Sequence, residues 1–93
     1  MSDLALSPEA VRVLRTLRKT AMDGYSLQSA AQVDAASLVR AVQTLISREW
    51  ITVVGDTSAN EIGRAFMRVP LQARGRVEEF LRNPEIAEAE TKR

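Results

Sequence analysis

Ser37, Arg40, Gln43 and Thr44 recur at steps of three and four residues, apart from the adjacent pair at 43–44. On a helix that spacing puts them on one face. Together they offer a guanidinium fork, a carboxamide and two hydroxyls. Such a set can meet the base edges of a nucleic-acid groove: Arg40 at guanine or phosphate, Gln43 at adenine, Ser37 and Thr44 at backbone or bases. Arg64 and Arg68 follow downstream and suit phosphates or a minor groove. A plain solvated helix face and a solvated hairpin would carry the same residues. Other chemistry has little to work with. The chain has no Cys and no His, which removes thiolates, zinc fingers and imidazole catalysis together. Asp3, Asp23, Asp34 and Asp56 all suit caps and turns. The glycines at 24, 55, 63 and 75 stand alone, so there is no glycine-rich phosphate loop. No catalytic residue, metal site or cofactor is expected, and an enzyme is not.

The stretch from Ser26 to Val54 must position that face. Leu27, Ala30 and Ala31 mark a short helix at Leu27–Gln32, with Ser26 as its cap. A tight joint follows at Val33-Asp34. Asp34 can cap a third helix at Ala35–Arg48. Leu38, Ala41, Val42, Leu45 and Ile46 form its apolar stripe. Ala36, Ser37, Val39, Arg40, Gln43, Thr44 and Ser47 are left outside it. The period then changes at Ile51–Val54, a short β-branched strand. Trp50, between helix and strand, is expected to pack in the core or at the hinge rather than to wait for a partner.

The flanks read as follows. Ser7-Pro8-Glu9 starts a first helix that reaches Ala21, with Ala10, Val13, Leu14, Leu17 and Ala21 buried and Val11 at the margin. Its cations Arg12, Arg15, Arg18 and Lys19 could touch phosphate or form a solvated face. Asp23-Gly24 signals a turn, and Tyr25 could belong to a short extra strand. Residues 55–61 form a polar loop. Gly63 reopens the chain into a strand at Arg64–Val69, with Ala65, Met67 and Val69 on one face and Arg64, Phe66 and Arg68 on the other. Pro70 precedes a helix over 71–82 whose apolar set is Ala73, Val77, Phe80 and Leu81. Gly75 is either a weak point in that helix or a place of close packing. Asn83-Pro84 stops it, so the domain spans 1–84 and a charged tail spans 85–93.

At 93 residues the chain supports one modest core. The net charge of +1 does not announce nucleic acid, but its distribution is uneven. From Arg64 to Arg76 there are four arginines and no acid, while the tail carries Glu85, Glu88 and Glu90. No apolar run approaches a bilayer span, and the first residues do not read as an export signal, so a cytoplasmic place and no membrane are expected.

Over residues 7–82 the chain resembles the winged helix-turn-helix family. The resemblance rests on the small-residue segment Ser26 to Ala31, the joint at Val33-Asp34, Leu38, Val42, Leu45 and Ile46, and the strand-loop-strand at Ile51–Val69. The run from Val69 to Arg76, with Gly75-Arg76 early in the following helix, is similar to the step after the wing in MarR-type regulators. It implies an α+β, mostly α fold: a three-helix bundle, a two-stranded wing and a C-terminal helix. It also implies a small transcriptional regulator that binds double-stranded DNA, with helix 35–48 in the major groove and the 51–69 wing on the backbone. Two departures stand beside it. The 93 residues leave no room for the extra dimerisation helices of MarR-type proteins. The third helix has only Arg40 and Arg48 as cations, which keeps a protein-interaction module, or a subunit of a larger assembly, as the alternative. Helix 71–82, with Val77, Phe80, Leu81 and Ile86, could form the two-fold contact of a homodimer, or its stripe could pack only on its own domain.

Overall fold

The first helix, α1 (Pro8–Lys19), is the element on which the others are laid. A computed structural model describes residues 6–82. Ala10, Val11, Val13, Leu14 and Leu17 are all buried, so α1 has a broad apolar face that meets α2 (Gly24–Ala31), α3 (Ala35–Ser47) and α4 (Arg74–Leu81). Val11 lies inside the core rather than at its margin. Ala21, expected to be buried, is only half-covered, because α1 stops at Lys19. Ser7 caps α1: its Oγ accepts from the Ala10 N–H at 3.1 Å, and Pro8 fills the first turn where no N–H is needed.

Two cations of α1 tie it to its neighbours. Arg12 donates from Nε to the Ala31 carbonyl at the end of α2, at 2.9 Å. Arg18 pairs with Glu78 of α4 at 2.8 Å. Each bond turns a guanidinium toward a neighbouring helix.

Among the described residues the sheet has three strands, β1 (Met22–Asp23), β2 (Thr52–Val54) and β3 (Phe66–Arg68), in the order β1-β3-β2 and antiparallel. The sequence predicts two, with a short extra one possible around Tyr25. The third comes from Met22-Asp23, which pairs with Met67 and Phe66. Tyr25 is not part of it. It lies in α2, which starts three residues earlier than its composition suggests and has Asp23, not Ser26, at the cap position. Gly24 explains the early start. Its N–H donates to the Ala65 carbonyl at 2.9 Å, and a Cβ there would lie 1.9 Å from the Ile62 carbonyl oxygen. Only a residue without a side chain can lie so close to that backbone.

The return strand is shorter than Arg64–Val69. Ile62–Arg64 makes a single 3-10 turn, and Ile62 is fully buried against α2 and α3. The expected alternation nevertheless holds: Ala65, Met67 and Val69 are buried, while Arg64, Phe66 and Arg68 are exposed.

Past Pro70 a second 3-10 turn at Leu71–Ala73 delays α4 to Arg74. A Cβ on Gly75 would meet nothing within 4 Å, so close packing is not its purpose. Val77, Phe80 and Leu81 are buried within their own domain, and Phe80 packs on Trp50 with ring centroids 4.9 Å apart. That apolar stripe is therefore not free for a second copy. Ile86, the 84/85 boundary and the 85–93 tail lie outside the described residues. Trp50 is half-buried as a hinge residue, and the Arg48 guanidinium lies 5.3 Å from its ring.

Two joints use left-handed backbone without glycine. Gln32 closes α2 at φ 58°. Glu49 follows the end of α3 at φ 61°, where its N–H donates to the Ile46 carbonyl and the Trp50 N–H donates to the Leu45 carbonyl, at 2.8 and 3.1 Å. This is a Schellman motif, in which glycine is the ordinary occupant. A side chain there costs about 1 kcal/mol or more.

Candidate nucleic-acid interface

α3 presents the face that its sequence promises. Leu38, Ala41, Val42 and Leu45 are buried, and Ala36, Arg40, Gln43, Thr44 and Ser47 are exposed. Ser37 and Val39 are half-buried, and Val39 packs against the core. Ile46 departs from the expected stripe: it is 39% exposed. It lines an open groove of about 710 Å3 between the end of α3, the edge of β2 and the start of α4.

Asp34 caps α3 through its Oδ1, which accepts the Ser37 N–H at 2.8 Å. That bond, helped by the Ser37 hydroxyl and the nearby Arg40 charge, holds the Asp34 carboxyl below the usual carboxylate range. A carboxylate already occupies the helix N-terminus, where a phosphate would otherwise be attracted. Asp23 is held low in the same way by the Ser26 hydroxyl, which donates to its Oδ1 at 2.7 Å.

Along the exposed face, donors are unequally free. Arg40 leans back on Ser37, donating from Nη2 to Oγ at 3.2 Å. Thr44 donates its hydroxyl to the Arg40 carbonyl at 3.1 Å, and Ser47 donates to the Thr44 carbonyl at 2.7 Å. These hydroxyls keep acceptor lone pairs but direct their protons inward. Arg40 keeps further N–H groups, and the Gln43 side chain forms no hydrogen bond to a described residue. On this face Arg40 and Gln43 therefore keep the most donors free to point outward, with the oxygens of Ser37 and Thr44 beside them.

The other cations lie on the sheet and just beyond it. Arg64 ends the 3-10 turn, and Arg68 stands on the outer face of β3 opposite Thr52. Both are exposed, and neither forms an ion pair with a described residue. Arg68 shares a recess of about 250 Å3 with Arg74, walled by Leu17, Ala21, Val69 and Leu71. Two guanidiniums at one recess, neither paired with a described residue, suit an anionic oxygen. Arg74 was not singled out by spacing. The signal was the acid-free run from Arg64 to Arg76, but only the 3-10 turn brings Arg74 round to Arg68.

Among the described residues no cluster of His, Cys, Asp or Glu could hold a metal ion, and no helix is long and apolar enough to cross a membrane. No protein family, curated protein or solved structure matches the chain. Its function is inferred from its own chemistry.

Proposed function

We propose that this is a winged helix-turn-helix domain and that it binds duplex DNA as a small transcriptional regulator. α3 enters the major groove, with Arg40 and Gln43 at base edges. The β2–β3 hairpin serves as the wing. Arg64 and Arg68, joined by Arg74, hold phosphates. The observation that carries this reading is the sorting of α3 into a buried apolar stripe and an exposed polar face, directly after a short helix and a three-residue joint. Selection of bound sequences from a random duplex pool tests it, followed by gel-shift titration at two salt concentrations. An enriched site whose affinity falls with salt is expected. No enrichment, with no salt-dependent shift, would remove the proposal.

One observation favours the second reading, a protein-interaction module. Val54 and Phe66 face each other across the hairpin and are 75% and 48% exposed. Interfaces between proteins are enriched in aromatic residues and Arg, and Arg64 and Arg68 flank this pair.

A further inference from the structure

We propose that the chain forms a symmetric dimer through the free edge of β2, with Glu49 of each copy set against Arg76 of the other. This inference does not rest on DNA binding and is tested without DNA.

The first observation is the edge itself. Among the described residues, β2 has β3 on one side and no strand on the other. Among the described residues, no backbone group from 51 to 57 bonds to backbone outside the β2–β3 ladder. An unpaired edge is a template for another strand, and proteins commonly cover or blunt it. Here no proline interrupts Thr52-Val53-Val54, and no charge lies on it.

The second is the groove along that edge. Ile46, Ile51, Val53 and Ala73 give it an apolar lining. The exposure of Ile46, on an otherwise buried stripe, is explained if this lining is covered in the working protein.

The third is charge. The groove carries one acid, Glu49, and one base, Arg76. Both are exposed, and neither side chain is bonded to the other or to any other described residue. A surface that meets a second copy of itself across a two-fold axis must be complementary to itself. A groove with one charge of each sign meets that condition, whereas a groove for an acidic or basic peptide would carry one sign. Glu49 also occupies the left-handed position that glycine ordinarily fills, so a carboxylate stands where the backbone favours glycine.

Pairing β2 with its copy would join two three-stranded sheets into one. It would also use the start of the 71–82 segment, through Ala73 and Arg76, rather than the stripe that α4 buries at home.

Sedimentation velocity over a concentration series tests the proposal, with circular dichroism as the control for folding. Wild type should reach twice the 10.3 kDa chain mass. Glu49→Arg and Arg76→Glu should each weaken association by about tenfold or more, because like charges then meet twice across the axis. The combined Glu49→Arg/Arg76→Glu variant should restore the dimer. Amide exchange at Thr52–Val54 should slow as concentration rises. A wild type still monomeric at about 100 µM overturns the proposal. So does a dimer indifferent to both single reversals, or a double variant that stays as weak as the singles.

Discussion

Arg12 closes the end of α2: its Nε donates to the Ala31 carbonyl at 2.9 Å, beside a cap residue, Gln32, in left-handed backbone. A charged donor on an unsatisfied helix carbonyl contributes more than a neutral one. Arg12→Ala should cost about 1–2 kcal/mol in chemical denaturation. The contrast is Lys19→Ala, at an exposed position on the same helix, which should stay within about 0.5 kcal/mol. Equal effects would mean that Arg12 matters only as one more surface cation.

The two glycines at 24 and 75 should respond in opposite directions. Gly24→Ala forces a Cβ into the Ile62 carbonyl and should cost about 3 kcal/mol or more, enough to unfold much of so small a domain. Gly75→Ala meets open space inside a helix and should add about 0.5–1 kcal/mol. Thermal melts of the two variants decide this. A destabilised Gly75→Ala would show that something packs there after all.

Arg40 and Leu45 separate recognition from folding. Arg40 is exposed and Leu45 fully buried. Arg40→Ala should leave the melting temperature nearly unchanged and weaken binding to a selected duplex by about 1–3 kcal/mol. Random duplex should lose less. Leu45→Ala should cost about 2–5 kcal/mol of stability. If Arg40→Ala binds the selected duplex like wild type, α3 does not read bases and the protein-interaction reading moves ahead.

Arg68 and Arg74 should behave as phosphate contacts. Each replacement by Ala should lower affinity for selected and unrelated duplexes alike, and should reduce the salt slope by about 0.9. Gel-shift titrations across a salt series measure both effects. Loss confined to the selected duplex would make these residues base readers instead.

Much of this architecture was legible in the sequence because its signals are local. The Ser7 and Asp34 caps, the buried side of α3 and the alternation along Ala65–Val69 each follow from a few neighbouring residues. The departures arise where distant segments meet. Asp23-Gly24 reads as a turn, yet contact with Ile62 and Ala65, some forty residues on, makes it a strand end and a helix start. Ile46 has helical spacing for burial, but no segment covers it within the described chain. In the candidate interface, the residue types of Arg40 and Gln43 were readable. The inward hydroxyls of Thr44 and Ser47, and the meeting of Arg68 with Arg74, were not, because both depend on how side chains settle in the folded chain.

The burial of Ile62 fixes how the hairpin can change. β2 holds one end of the 55–61 loop, and Ile62, lodged against α2 and α3, holds the other. Both anchors lie outside the loop, whose residues are exposed apart from half-buried Thr57. The loop can therefore be lengthened or exchanged without moving an anchor. Closing a loop of twice the length costs only about 0.6 kcal/mol more. A Gly/Ser insertion after Asp56 should thus leave the melt close to wild type, whereas Ile62→Ala should not. Past Gly55, whose φ of 121° and closeness to Ala65 hold it in place, residues 56–61 then behave as an interchangeable cartridge, in which length and composition can vary while the fold stays constant.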